Sequence, residues 1–176
     1  MMKNGLLIIL ICCFVGNLNA QIDNKPEGFK KYAILAEISN REAGMGIKYT
    51  WDNKWFIPLS VGISNEFHER KWNDWYLNLK PYYLLGHRRI CFPVGLTGGI
   101  RFINDYGYHF PVVWGGAYGG ALYRLGSNQE IGVNVGVKYG KKSHLIKRDE
   151  IWGTVSAYET YRERPVFFEV NYSYRF

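Results

Sequence analysis

Three side chains near the middle of the sequence are of the types that form a hydrolytic triad. Ser64, Glu66 and His68 occupy alternate positions, so they share one face if this stretch is an extended strand. Residues two apart on a strand are separated by about 6.6 Å, which places Ser64 and His68 about 13 Å apart. A nucleophile and its general base need a separation of about 3 Å. The spacing argues against this chemistry, and we predict that the protein is not an enzyme.

Patterns for other ligands are also missing from the sequence. The four histidines are isolated from one another, whereas a zinc site needs its ligands at short, regular spacing. The glycine pairs 115–116 and 119–120 are not a phosphate loop, because no helix is predicted after them. The basic residues are dispersed among the predicted strands and form no nucleic-acid-binding stripe. We therefore expect no cofactor, no metal and no nucleic acid.

Residues 1–20 have the three parts of a secretory signal peptide. Lys3 precedes a wholly apolar run from Leu6 to Val15, and the small residue Ala20 ends the segment. The apolar run is shorter than the roughly 20 residues that a spanning helix needs, which disfavours an uncleaved membrane anchor. Cleavage after Ala20 would lower the net charge of +7 by one and leave Cys91 as the only cysteine, so we expect no internal disulfide. Residues 21–30 are polar and are predicted to be a periplasmic lead-in.

The end of the chain shows the clearest strand pattern. From Val166 to Phe176 every second residue is apolar or aromatic, and most of the residues between them are polar. A strict period of two is the signature of a strand with two chemically different faces. Seven further segments alternate in the same way. They predict strands at 31–39, 43–51, 55–64, 74–85, 89–102, 108–125 and 130–140.

Two of these strands contain residues that disturb a regular ladder. Pro58 cannot donate a backbone hydrogen bond, so we expect a bulge or a local distortion at that position. In 108–125 both alternating sets are apolar, and the glycine pairs suggest bulges or a change of face.

The lengths of the connections alternate between short and long. The connections 52–54, 86–88 and 126–129 are short, whereas the other set contains the two longest, 65–73 and 141–164. Short turns at one end and long loops at the other are typical of barrels that cross a bacterial outer membrane. Part of the last connection, 151–161, is expected to prolong the final hairpin beyond the membrane.

Aromatic residues make up 17% of the chain and fall near the predicted strand ends. Amphipathic rings prefer the two interfaces of a membrane, so two aromatic belts are what a membrane barrel requires. The belt at the short-turn end consists of Tyr32, Trp51, Trp55, Tyr83, Tyr123, Tyr174 and Phe176, and the opposite belt of Trp75, Phe102, Tyr108, Tyr139 and Phe168.

The signal peptide, the eight two-faced strands, the long connection before the last strand and the final Tyr-Ser-Tyr-Arg-Phe resemble the porin-like outer-membrane β-barrel family. The small eight-stranded barrels of the OmpA/OmpX type are its architectural counterparts. The resemblance implies an all-β protein, an eight-stranded antiparallel up-and-down transmembrane β-barrel formed by residues 31–176 and located in the bacterial outer membrane. It also implies that Tyr172, Tyr174 and Phe176 are the C-terminal signal that the barrel-assembly machinery reads.

The same resemblance supplies an enzymatic alternative, a lipid A-modifying barrel. Lipid A deacylases of this size carry a His-x-Ser pair on a lipid-facing strand, and no histidine of this chain is followed by serine two residues later. Barrel acyltransferases use an outer trio of histidine, aspartate and serine, which this sequence does not clearly assemble. A soluble lipocalin-like barrel is a further alternative, but the paired aromatic belts and the apolar end of the chain disfavour it.

The predicted inward face is charged. Lys138 and Glu169 stand at equal heights on neighbouring strands, so they are expected to form a lateral ion pair. An eight-stranded barrel is just wide enough for side chains to fill its interior, which favours a plug of matched charges over a narrow selective pore. The predicted interior network consists of Glu37, Lys48, Lys80, Arg101, Lys138, Glu169 and Arg175.

The long connection 141–164 is rich in cations. At an outer surface Lys141, Lys142, Lys147 and Arg148 are expected to meet anionic lipopolysaccharide headgroups, although a solvated charged loop is the simpler alternative. We predict a structural or surface-interaction protein whose contact with outer-membrane lipid, or with a protein partner, is made through this loop.

Overall fold

The architecture is that of a computed structural model, which describes residues 31–52, 54–65, 74–86, 89–105, 108–150 and 153–176. The predicted signal peptide and lead-in lie outside these ranges, as do Glu66 and His68. Within the described part of the chain no helix is long and apolar enough to span a membrane.

Ten strand segments build the molecule. They are β1 (Tyr32–Ser39), β2 (Glu42–Thr50), β3 (Trp55–Ser64), β4 (Asp74–Leu79), β5 (Tyr82–Leu85), β6 (Ile90–Asp105), β7 (Tyr108–Arg124), β8 (Gln129–Glu150), β9 (Gly153–Arg162) and β10 (Val166–Arg175).

The ten segments form eight antiparallel strands that close into a barrel. β4 and β5 pair with β3 in one register, since Leu59 lies opposite Leu79 and Trp55 opposite Tyr83, so they are one interrupted strand. β9 and β10 likewise share one register along β8. Each strand pairs with its neighbour along the chain, and β10 pairs with both β8 and β1, which closes the ring. The predicted all-β eight-stranded up-and-down barrel is confirmed.

The distortion expected at Pro58 lies on the neighbouring strand instead. The β2–β3 register runs without a bulge through Pro58, which lies opposite Lys48. The interruption is at Lys80 and Pro81, between β4 and β5, and the Lys80 amide donates to the Pro58 carbonyl at 3.0 Å. Pro58 has no amide hydrogen, so it cannot donate a hydrogen bond to the Lys80 carbonyl. That carbonyl accepts from the hydroxyl of Tyr118 instead, at 3.0 Å.

The prediction of bulges or a change of face in 108–125 is wrong. β7 keeps one register with β6 and one with β8 along its described length. Val112, Trp114, Tyr118 and Leu122 are all buried in the interior, so the strand keeps one inward face. At Gly116 a Cβ atom would lie 2.8 Å from the Cα of Lys138, so this glycine permits a close approach of β7 and β8 rather than a bulge.

The two faces of the barrel have inverted polarity relative to a soluble protein. Large apolar side chains such as Val94, Val113, Val137 and Leu96 lie exposed on the outside, whereas charged side chains are buried inside. This is the arrangement that a membrane-spanning barrel requires. The outer aromatic residues of the short-turn end include the ring pair Trp55–Tyr83, with centroids 5.2 Å apart. At the other end Trp75, Phe102, Tyr139 and Phe168 are exposed on the outside, and the side chain of Tyr108 lies outside the described part.

The predicted loop 141–164 is mainly a β-hairpin. Residues 141–150 of β8 pair with β9 from Lys141 opposite Arg162 to Glu150 opposite Gly153. The expectation that 151–161 prolongs the last hairpin is therefore confirmed for the described residues, from Gly153 onward. The threonines, valine and tyrosines of β9 favour an extended chain.

Candidate functional site

Buried ion pairs fill the interior in three successive layers. The hairpin-side layer contains Glu42, Arg101, Lys138 and Glu163, and it lies next to the base of the β8–β9 hairpin. The central layer contains Glu37, Lys80 and Glu169. The mouth layer, at the short-turn end, contains Lys48, Arg124, Glu130 and Arg175.

The hairpin-side layer matches two cations with two carboxylates. One nitrogen of Arg101 donates to both carboxylate oxygens of Glu163, at 2.6 and 2.7 Å, and a second nitrogen donates to Glu42. Lys138 Nζ lies 2.7 Å from Glu42 and 3.2 Å from Glu163. The side chains of Arg101 and Glu163 are 0% exposed, so the layer has lost its water and depends on this matching of charges.

The central layer places one cation between two carboxylates. Lys80 Nζ donates to Glu37 at 2.9 Å and also to Glu169. The other oxygen of Glu37 accepts from the hydroxyls of Ser60, at 2.7 Å, and Tyr76, at 3.0 Å. Asn134 donates to Glu169 at 3.1 Å. The hydroxyl and amide donors therefore satisfy oxygens that the single lysine leaves over.

The mouth layer has the opposite balance, because three cations converge on Glu130. Lys48 donates to this carboxylate and to the hydroxyl of Ser173, and Ser173 donates to Glu130 at 3.2 Å. Arg175 donates to the other carboxylate oxygen at 2.5 Å. Arg124 is farther away, with its Nε atom 3.5 Å from Glu130.

The side chains of the interior are packed closely. A small space at the level of the central layer has a volume of about 20 Å³, and Glu37, Lys48, Lys80, Tyr118 and Glu169 are among the residues that line it. A space of this size holds about one water molecule. Over the described strands the interior is filled by the ion pairs together with buried apolar side chains such as Phe56, Leu84 and Phe167.

All seven residues of the predicted interior network lie on the inner side of the barrel, but one predicted pair is wrong. Glu169 lies opposite Asn134 in the register and binds Lys80, whereas Lys138 binds Glu42 and Glu163. The strands are staggered around a closed barrel, so equal counts from one end do not give equal heights.

Sequence reasoning missed four carboxylates that the structure buries, Glu42, Asp74, Glu130 and Glu163. Glu130 begins the predicted strand 130–140 and lies on the same alternating face as Lys138. The alternation of that strand therefore indicated that Glu130 faces the interior. Glu42 precedes the predicted strand 43–51 but begins β2 in the structure, and its backbone amide donates to the hydroxyl of Ser39 at 2.9 Å. Glu163 was hidden among the charges of 141–164.

The predicted surface and assembly residues face outward or lie on the hairpin. Lys141 and Lys142 are exposed on the hairpin, and Lys147 and Arg148 lie on β8 with side chains outside the described part. Phe176 is exposed on the outside, and its amide donates to the Tyr32 carbonyl at 3.3 Å. Tyr172 and Tyr174 are half-buried on β10, opposite Ala36 and Ile34 of β1.

Ser64, the remaining member of the triad examined in the sequence, is fully buried at the end of β3. The other two side chains of that triad, Glu66 and His68, lie outside the described residues. No group of three or more histidine, cysteine or acidic side chains suited to a metal ion occurs among the residues that the structure describes.

Comparison with known proteins gives matches at the level of the fold. No family model and no curated protein match the sequence. The N-terminal β-barrel domain of Pseudomonas aeruginosa OprF is similar in structure, with a TM-score of 0.57 and 15% identity over 85% of this chain and all of that domain. Neisserial surface protein A (NspA) has a TM-score of 0.53 and 9% identity, again over 85% of this chain and all of that protein. The chain thus has the eight-stranded antiparallel fold of the small OmpA/OmpX-type transmembrane barrels.

Proposed function

We propose that the protein is a non-enzymatic barrel of the bacterial outer membrane, exported by a cleaved signal peptide at residues 1–20. In this proposal the closed barrel is a rigid support, and the β8–β9 hairpin makes contact outside the membrane with a surface partner or with lipopolysaccharide. The observation that carries the proposal is the hairpin itself, an ordered element that projects from a filled barrel.

The described part of the hairpin pairs only with itself. β8 leaves the barrel after Gly140, where its pairing with β7 ends opposite Trp114, and continues with β9 alone. Tyr158 is 77% exposed and lies opposite Leu145, which is also exposed. An exposed tyrosine with an apolar neighbour is a frequent centre of protein contacts, and the exposed cations Lys141 and Arg162 at the base of the hairpin suit an anionic surface.

The base of the hairpin is anchored in the barrel. Tyr161 packs against Phe110, with ring centroids 4.8 Å apart, and against Ile103 and Val112. Two residues later Glu163 binds Arg101 and Lys138 in the hairpin-side layer. A contact surface held in this way costs less ordering entropy on binding than a flexible loop, which supports a role in recognition.

The experiment that tests the proposal removes the hairpin but keeps its anchor. Residues 143–160 are replaced by Asn-Gly, which joins the strands through a two-residue turn and retains Glu163. The shortened barrel is expected to fold, as shown by its change in gel mobility on boiling, and to lose any partner crosslinked at the cell surface. A second variant, Tyr158→Ala, should weaken the same crosslink, whereas Tyr123→Ala at the opposite end is the control. An unchanged set of crosslinked partners after hairpin removal would contradict the proposal.

The alternatives are tested separately. A lipid A-modifying enzyme would change the mass spectrum of lipid A when the protein is expressed, and we expect identical spectra. A narrow channel would give discrete conductance steps in a planar bilayer, and the filled interior leads us to expect none.

A further inference from the structure

The short-turn end of the barrel, opposite the hairpin, carries an excess of positive charge. In the mouth layer Lys48, Arg124 and Arg175 meet a single carboxylate, Glu130. The neighbouring carboxylates of the central layer, Glu37 and Glu169, bind Lys80. Buried charges are normally paired, so the mouth layer, in which three cations surround one carboxylate, is where an additional anion would be stabilised.

More cations surround the mouth layer. Lys31 and Arg89 are exposed at this end, and their carbonyls accept from the amides of Thr50 and Arg124. Lys54 lies at the same rim, with Nζ 5.9 Å from the centre of the Tyr83 ring. Among the described residues of this rim the acidic side chains are Glu130 and Asp52.

The two arginines have hydrogen-bonding capacity to spare. The Nε atoms of Arg124 and Arg175 are buried and have no hydrogen-bond partner among the described residues. The contact of Arg124 with Glu130, at 3.5 Å, is longer than a charge-assisted hydrogen bond. Arg124 is 30% exposed and Arg175 16%, so both can be reached from the rim.

The arginines are also held in place. Arg124 lies opposite Glu130 across β7 and β8, and Arg175 lies opposite Ala33, whose other neighbour is Lys48. The small side chain of Ala33 leaves room for Lys48 and Arg175 to converge. Phe56 supports them, with its ring centre 5.7 Å from Lys48 Nζ and 5.6 Å from Arg175 Cζ.

From this geometry we propose that the mouth layer is a binding site for a phosphate group. Arginine forks match the oxygens of phosphate in shape and charge, and a monoanionic or dianionic phosphate would neutralise the surplus positive charge. The phosphate can belong to an anionic lipid headgroup at the membrane surface or to a free phosphate compound. In both cases Arg124 is the primary contact, because it is the most exposed and the least engaged of the three cations.

The test is calorimetric titration of the full mature chain folded in an uncharged detergent. One arm adds inorganic phosphate, with chloride at equal ionic strength as the reference. The other arm adds phosphatidylglycerol to the micelles, with phosphatidylcholine as the reference. The variants are Arg124→Gln and, as the control, Arg41→Gln, which removes a cation from the turn between β1 and β2 at the other end of the barrel.

Loss of a charge-assisted hydrogen bond is expected to weaken binding about tenfold in Arg124→Gln, and Arg41→Gln should leave it unchanged. Binding in the phosphate arm identifies a free phosphate compound, and binding only in the lipid arm identifies a headgroup. If Arg124→Gln does not fold, Arg124→Lys is measured instead. Lysine keeps the positive charge but cannot bind two phosphate oxygens side by side, so this variant should still bind phosphate more weakly than the unmodified protein. The proposal is overturned if neither arm shows binding, or if the Arg124 variant binds as tightly as the unmodified protein.

Discussion

Arg101 and Glu163 lie 62 residues apart in the sequence, and one nitrogen of Arg101 contacts both oxygens of the Glu163 carboxylate. Glu163 sits in the short interruption between β9 and β10, just before Pro165. Through this pair the base of the protruding hairpin is bound to the far side of the barrel interior. The contact therefore serves both the stability of the barrel and the position of the hairpin.

Breaking this pair from one side should be costly. Glu163→Gln removes the carboxylate from two buried cations, and we expect the free energy of unfolding to fall by about 3–5 kcal/mol, as for other buried pairs that lose one partner. The measurement is the urea midpoint of the barrel in detergent micelles. Arg162→Gln, an exposed neighbour, is the control and should change stability by less than about 0.5 kcal/mol.

The double variant Glu163→Gln with Arg101→Met separates the pair from its surroundings. Because both partners are then uncharged, the cost should be well below the sum of the two single changes. Additive costs would mean that the two side chains act independently.

A second prediction concerns the carbonyl of Lys80. It faces Pro58, which has no amide hydrogen, and accepts from Tyr118 instead. Tyr118→Phe should leave this buried carbonyl unsatisfied and lower the free energy of unfolding by about 1–3 kcal/mol. In a Pro58→Ala background the restored amide can bond to Lys80, so Tyr118→Phe should cost measurably less. Equal costs in the two backgrounds, measured by urea unfolding, would refute this explanation.

The third prediction tests the proposed assembly signal at the end of the chain. Phe176 and Phe168 are outward phenylalanines of nearly equal exposure, 58% and 61%, so they form a matched pair. If the assembly machinery reads the last residue, Phe176→Ser should reduce the folded protein in the membrane several-fold in cells, and Phe168→Ser should not. Both variants should refold equally well from urea into micelles. The same loss in cells for both would show that lipid contact, and not position at the end, matters.

Much of the fold follows from the sequence, and much of the ion-pair network does not. The alternation of apolar and polar residues located the strands closely, because the membrane and the interior impose opposite chemistry on the two faces. The pairing of Lys138 was wrong, since the stagger of the strands depends on closure of the whole barrel. Glu163 was missed because a strand interruption places it inside, and no local pattern indicates which residue of a charged segment turns inward.

The last prediction concerns Lys80, whose ammonium group lies between Glu37 and Glu169. Lys80→Met leaves two buried carboxylates facing each other with no cation between them, so the loss of stability should equal or exceed that of Glu163→Gln. Adding Glu169→Gln removes one of the two negative charges and should restore a substantial part of the loss, a non-additive effect expected only for groups in direct contact. Urea unfolding of the single and double variants gives the coupling energy. As a control, Glu130→Gln in the mouth layer should not restore stability to Lys80→Met, because Glu130 binds Lys48, Arg124 and Arg175 instead. Recovery with Glu130→Gln but not with Glu169→Gln would mean that the layers do not act as the separate ion-pair groups described here.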